Sequence, residues 1–336
     1  MNNDAPGTHS GKTTLRDVAQ ATGFSINTVS HALKDKPDIS AATKERIRLA
    51  ARDLGYIADS VAGSLRSGVS RTIAVILGDM SNPHFGLWVR EIETSAFRQG
   101  YSTLIINTDE DEQVEREAIK AAVGKRVDGI ILCPTQKSDC NLILLKSISI
   151  PFVLIGRRYQ DADLNYVVPD DVEGGCLAAG HLLDRGCRHI LMLNGPAHIS
   201  SARERYEGYC KAHAERGLAV DPRYLLSVGV QSGQCRRTVE RVLAEGLDFD
   251  AVVAFSDLLA LETLATLRSR PVPVVGFDDI LGGMLLPVSL TSVAPDLNAV
   301  ASCAVSRLME MMAARQQKTS AGQPVQTVLP VRLYSR

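Results

Sequence analysis

Thr14-Leu15-Arg16-Asp17-Val18-Ala19-Gln20-Ala21-Thr22-Gly23-Phe24-Ser25-Ile26-Asn27-Thr28-Val29-Ser30-His31 reads as two short helices around a tight turn. Thr14 is suited to cap the first helix, with Asp17 three residues on in the Glu position of a capping box. Leu15, Val18 and Ala19 then share one apolar face. Gly23 supplies the permissive backbone the turn needs. Ser25 caps a second helix whose inward face is Val29 and Leu33. This is helix-turn-helix spacing, in which the second helix enters the major groove and its first residues meet base edges. Ile26, Asn27 and His31 lie on the exposed side of that helix and are the expected base readers. Thr14, Ser25, Thr28, Ser30 and Lys34 place hydroxyls and an ammonium around them, groups suited to the DNA backbone. The plain alternative is a generic pair of packed helices.

A third helix should follow Ser40, with Ile47, Ala50, Ala51 and Leu54 as its core stripe and Gly55 as its stop. Next comes Tyr56-Ile57-Ala58-Asp59-Ser60-Val61-Ala62-Gly63-Ser64-Leu65-Arg66, a short segment with a single large apolar side chain near its end. From about Thr14 to Leu333 the chain resembles the lactose-repressor family of bacterial transcription regulators. The resemblance implies that residues 59–66 form a hinge helix on DNA. Leu65 stands where the family has a leucine that wedges into the minor groove, partly unstacking a base step.

Charge distribution agrees. The net charge is −1, but residues 12–71 carry ten Lys/Arg against six Asp/Glu, a balance of +4 that leaves −5 elsewhere. A basic head on an acidic body suits phosphate contact at one end. Seven cysteines are scattered and never spaced as C-x-x-C, so neither a zinc site nor a disulfide framework is indicated, and a reducing cytoplasm fits. No apolar run has the length of a membrane span. Residues 1–12 read as a disordered polar arm.

Beyond the joint Ser67-Gly68-Val69-Ser70-Arg71 the chain alternates short apolar strands with helices. Expected strands are Thr72–Leu77, Ser102–Asn107, Gly129–Cys133, Phe152–Ile155, Ile190–Leu193, Ala251–Ala254 and Val274–Gly276. That pattern implies an α/β body of parallel sheets covered on both faces. The resemblance implies a two-lobed core like that of periplasmic sugar-binding proteins, after a helix-turn-helix head (13–58) and a hinge (59–71). Lobe one is expected at about 72–168 and 295–325, and lobe two at about 169–294 and 326–336. The chain should cross near Pro169, near Ala294 and once more near the C-terminus. No G-x-G-x-x-G or phosphate-binding G-x-x-x-x-G-K-[ST] occurs, and no nucleophile–base pair stands out, so a non-catalytic sensor without cofactor or metal is expected.

Ligands of open α/β sheets sit at the carboxyl ends of strands. On the family pattern, Phe85 of Met80-Ser81-Asn82-Pro83-His84-Phe85 matches the stacking position. Arg205 matches the arginine of an R-x-x-G segment and is the expected bidentate donor. Asp278 matches the aspartate acceptor. Alternatively, Arg205 and Asp278 pair with each other. Two departures stand out: Ser256 where Asn is usual, and Gly156 where a carboxylate commonly sits. Arg157 and Arg158, with Arg205, point toward a sugar acid or phosphate as well as a plain sugar, although Arg157 serves equally as a solvated or lobe-bridging residue. The expected effector contacts are Phe85, Arg157, Arg205, Ser256 and Asp278. The resulting expectation is a cytoplasmic homodimer on a palindromic double-stranded operator, repressing under small-molecule control and without a membrane partner. A solute-binding or sugar-processing protein on the same core is the alternative, and residues 14–66 are what it would not need.

Overall fold

The computed structural model describes residues 13–57, 68–160, 163–229, 233–282, 289–320 and 322–336. The chain divides into two compact units, Met1–Ser70 and Arg71–Arg336. The arm 1–12 and the hinge segment with Leu65 lie outside the described residues.

In the first unit, α1 (Leu15–Thr22), α2 (Ile26–Leu33) and α3 (Ala41–Asp53) start where the caps predict. Thr14 and Asp17 form the reciprocal capping box, and the Ser25 and Ser40 hydroxyls accept from the amides of Thr28 and Thr43. Gly23 turns the chain with φ +73°. Val18, Ala19, Val29, Ala32, Ile47 and Ala51 make the small core, with Leu33 partly buried against it. Leu54 departs from the expected stripe: it is 39% exposed, because α3 has ended and residue 54 is already its C-terminal cap.

The second unit contains two six-stranded sheets. The first sheet has the order β11-β5-β4-β3-β1-β2. Its strands are β1 (Thr72–Leu77), β2 (Ser102–Asn107), β3 (Gly129–Leu132), β4 (Phe152–Ile155), β5 (Tyr166–Pro169) and β11 (Gln326–Leu329). The second has the order β12-β10-β9-β8-β6-β7. It comprises β6 (Ile190–Asn194), β7 (Leu225–Ser227), β8 (Ala251–Ala254), β9 (Val274–Phe277), β10 (Thr291–Pro295) and β12 (Val331–Tyr334). Among the described residues only the β10–β12 pairing is antiparallel. Lobe one covers its sheet with α4 (Pro83–Arg98), α5 (Glu112–Gly124), α6 (Cys140–Ser147) and α11 (Leu297–Gln317). Lobe two uses α7 (Asp171–Asp184), α8 (Ser200–Glu215), α9 (Gln234–Ala244) and α10 (Asp257–Thr266). Each sheet carries an apolar core on both faces, as parallel sheets must.

The seven strands expected from apolar runs are all present, with ends shifted by one residue at most. Of the five others, β7 is only three residues long and β11 and β12 are half-exposed and mixed, while β5 and β10 are buried but end in proline. The last crossing also differs from the expected position. Residues 326–329 pair in parallel with Tyr166–Pro169, so they belong to lobe one and the chain changes lobe at Pro330. Among the described residues no helix is long and apolar enough to cross a membrane.

Candidate functional site

On the head, α2 presents Ile26, 46% exposed, and Asn27, also exposed. His31 is half-buried because its Nδ1 lies 2.6 Å from Asp38 Oδ2. That contact holds the Asp38 carboxyl below its usual range. With Nδ1 engaged, Nε2 is the nitrogen left to meet a base. The expected backbone-contact residues are partly committed within the head: Thr14 Oγ1 meets Asp17 Oδ2 at 2.8 Å, and Ser25 Oγ meets Thr28 Oγ1 at 2.8 Å. Ser30 is half-buried and Lys34 exposed. Arg46 was not anticipated. It donates to the Thr22 carbonyl at 3.0 Å and lies 5.3 Å from the Phe24 ring, tying α3 to the turn.

In the core, residues of both lobes enclose a cavity of about 70 Å³. Phe85, Arg157, Arg205, Ser256 and Asp278 all line it. The fold brings them together because each follows, or lies near, the carboxyl end of a strand. Phe85 sits in the first turn of α4, behind the Asn82 cap. Ser256 is the N-cap of α10, its hydroxyl accepting from the Leu259 amide at 3.4 Å.

The two arginines are held by acids that the sequence did not single out. Arg157 makes a two-pronged bond to Glu110, at 2.7 and 2.8 Å, and donates to the Pro134 carbonyl at 3.0 Å. It therefore stays within lobe one. Arg158 is the bridge instead: its Nε reaches Glu204 at 2.9 Å and its amide donates to Ser200 Oγ at 3.0 Å. Arg205 donates from Nε to Asp171 at 2.7 Å and from Nη1 to the Phe255 carbonyl. Its guanidinium carbon lies 4.7 Å from the Phe255 ring centre and 4.1 Å from that of Phe277. Arg205 is thus paired with Asp171, not Asp278. Each arginine carries its own carboxylate, so the surplus positive charge expected at the cleft is cancelled.

Asp278 remains. It occupies a left-handed conformation, φ +102°, and is buried; burial, opposed by Arg205 and Arg157, pushes its pKa up to about 7. Its Oδ1 lies 3.5 Å from Nδ1 of His84 on the other lobe. Burial, with the positive charges of Arg205 and Arg157, pushes His84 down to about 3. Near neutral pH the imidazole is uncharged, so the contact is not an ion pair. Trp88, one turn along α4, packs edge-on to His84 at 5.4 Å.

Glu110, Asp171, His84 and Trp88 escaped sequence reasoning. Asp171 follows β5, a strand the apolar pattern did not reveal, and Glu110 lies in a loop where acids are common. Gly156 now has a physical account: its φ is +71°, and a β-carbon there would meet Trp88 Cη2 at 3.1 Å. The indole occupies the space a carboxylate side chain would take.

Residues 70–280 match the family profile described as periplasmic binding proteins and sugar binding domain of LacI family. Residues 14–59 match bacterial regulatory proteins, lacI family. The ribose operon repressor of Halalkalibacterium halodurans is 33% identical over 300 residues, covering 86% of this chain and 88% of that protein. The HTH-type transcriptional repressor PurR of Aliivibrio fischeri is 27% identical over 306 residues, 88% of this chain and 91% of that one. Among solved structures, the lac repressor dimer bound to operator and the anti-inducer ONPF superimposes with a TM-score of 0.82 at 23% identity, covering 97% of this chain and 98% of that one. The transcriptional regulator CelR–cellobiose complex gives 0.71 at 24%, covering 97% and 99%. These two likenesses carry the fold.

Proposed function

Because this chain belongs to the LacI family of bacterial regulatory proteins, we propose that it is a cytoplasmic, sequence-specific transcription regulator that binds a palindromic operator as a homodimer. A small molecule in the cleft between its lobes controls it, and its action on the operator is repression. The observation that carries this reading is the joining, in one chain, of a capped helix-turn-helix with an exposed reading face to a closed cleft whose polar groups come from two lobes. A solute-binding protein has no use for the head. Two arginine–carboxylate pairs, and Asp278 facing a neutral His84, line this cleft and suit the holding of a polar ligand.

Ile26, Asn27 and His31 read bases in this proposal, and one helix reads few, so a symmetric pair of chains on two half-sites is required. Leu65 is assigned to the minor groove at the operator centre. Phe85, Arg157, Arg205, Ser256 and Asp278 form the effector site, with Arg157 acting as a wall fixed by Glu110. The effector is a sugar or sugar derivative. A ligand that touches both lobes favours one lobe arrangement, and the hinge leading into β1 passes that preference to the paired heads. Such coupling is reciprocal and commonly about 1–3 kcal/mol.

Selection of bound sequences from random duplex DNA tests the head. The wild type should yield a palindrome. His31→Arg should change the half-site preference without abolishing binding, because arginine reads guanine with two donors where His31, its Nδ1 engaged by Asp38, offers only Nε2. An unaltered sequence logo in that variant removes His31 from the readers, and the absence of any palindrome defeats the regulator reading.

A further inference from the structure

We propose that His84 and Trp88, on one turn of α4, are the lobe-one specificity determinants of the effector site, and that they receive a neutral single-ring ligand by its oxygen atoms.

This rests on the reading of the cleft as an effector site. Trp88 is 4% exposed, lines the cavity, and its Nε1 is buried without a protein partner among the described residues. The same holds for His84 Nδ1, which makes no hydrogen bond with Asp278 despite the 3.5 Å approach. Buried polar atoms are nearly always satisfied, and an unsatisfied one costs about 1–3 kcal/mol. Two such atoms on adjacent, touching rings in one cavity indicate a ligand that supplies their partners.

The chemistry of those atoms constrains the ligand. An indole nitrogen only donates, so the group facing Trp88 must accept. The group between His84 and Asp278 meets a neutral imidazole and a carboxyl, and a hydroxyl, which both donates and accepts, satisfies the two together. On lobe two, Arg205 uses Nε and Nη1 on Asp171 and the Phe255 carbonyl, leaving Nη2 as its remaining donor group. Both arginines are already matched by carboxylates, so nothing in the cavity compensates a phosphate. A cavity of about 70 Å³ is small, and suits a single ring. Gly156 packs closely on the ring: a β-carbon there would lie 3.1 Å from Trp88 Cη2, and the indole would have to give by a few tenths of an ångström.

Trp88 is the only tryptophan in the chain, so its emission reports directly on the cavity. D-ribose is the probe for a neutral single ring, with ribose 5-phosphate and cellobiose as comparators. Ribose should change the wild-type emission and bind more tightly than either comparator. Trp88→Phe keeps an aromatic ring and deletes the N–H, with a small void where the larger indole stood. Calorimetry should then show ribose binding weakened about tenfold, the loss of one hydrogen bond, while the unliganded protein still unfolds cooperatively at a modestly lower melting temperature. Among the monodeoxyriboses, one should lose affinity for the wild type and lose nothing further against Trp88→Phe. His84→Phe should weaken ribose by more than His84→Asn, which retains a donor and an acceptor. Equal ribose affinity in wild type and Trp88→Phe overturns the assignment. Preference for ribose 5-phosphate or cellobiose overturns the neutral single ring. If no sugar binds while random-sequence selection still yields an operator, this inference fails and the DNA-reading proposal stands.

Discussion

Asp257 does not line the cavity, yet it places the residue that matters most there. Its Oδ2 accepts from the Ile280 amide at 2.9 Å and its Oδ1 from Ser292 Oγ at 2.7 Å, so it pins the loop carrying Asp278 to β10. Gly276 is glycine for the same reason, since a β-carbon would lie 2.2 Å from Asp257 Oδ1. Burial, and next the nearby Asp278, push the Asp257 carboxyl up to about 8. A folded-state pKa raised from the ordinary 3.8 of an aspartate means that the native state holds the proton more tightly, so its contribution to stability is lost as pH climbs from about 4 through about 8. Asn at 257 imitates the neutral acid: its oxygen accepts from Ile280 and its amide donates to Ser292. Asp257→Asn should therefore melt close to wild type at pH 5 and progressively above it up to pH 8, the difference then levelling. Melting temperatures of the two proteins across that range check this, and a difference independent of pH contradicts it. None of this was legible in the sequence, where Asp257 is one more acid at a helix start; its burial depends on β10 closing over it.

At the scale of elements, the crossing of α7 and α8 decides where Arg205 points. A β-carbon on Gly208 would come within 1.9 Å of the Val172 carbonyl oxygen, and one on Gly175 within 2.1 Å of the Arg205 carbonyl oxygen. Backbone meets backbone at both places, and neither can step aside as a flexible side chain does. This approach lets Arg205 on α8 reach Asp171 in the first turn of α7. Gly208→Ala should force the helices apart, destabilising the protein by about 1–3 kcal/mol, and should weaken effector binding as the Arg205–Asp171 pair loses its geometry. Thermal unfolding and calorimetry with D-ribose measure the two effects; an unchanged melting temperature refutes the close crossing. The spacing of Arg205 and Gly208 was visible in the sequence as a motif, but its purpose was not, because the helix that Gly208 admits starts 37 residues earlier, at Asp171.

Across the whole molecule, the lobes are joined by three chain crossings and by contacts between their surfaces. Two crossings share one device: a proline ends the strand and the next aspartate caps the helix, Pro169-Asp170 before α7 and Pro295-Asp296 before α11. Proline fixes its own φ and offers no amide, which suits the point where a strand leaves its sheet. The surface contacts are the Arg158–Glu204 pair, the Arg158 amide on Ser200, and the Ser200 amide on Gln136 Oε1 at 2.9 Å. They hold the two lobes in the arrangement seen here. Burial raises the Glu204 pKa, against the influence of Arg158, so the pair is partly desolvated. Glu204→Gln should shift the population toward open lobes and speed ligand escape, raising the D-ribose dissociation rate several-fold while leaving the head's DNA sequence preference untouched. Stopped-flow fluorescence of Trp88 reads that rate, and equal rates in the two proteins dismiss the contact as a latch.

The sequence by itself determined what depends on neighbours along the chain. The caps at Thr14, Ser25 and Ser40, the turn at Gly23 and seven apolar strands follow from local hydrogen bonding and from apolar runs that only a doubly covered sheet buries. The resemblance to the lactose-repressor family pointed to five residues that line one cavity. Only the tertiary structure decided which charges meet. Arg157 with Glu110, Arg205 with Asp171 and His84 facing Asp278 join residues 34 to 194 positions apart, and pairing at that range depends on strand order and helix crossing. The charge balance of the cleft, and with it the neutral ligand proposed here, follows from those pairings: in the sequence the arginines stand without their partners, because a carboxylate contributes to a site through distance in space and not along the chain.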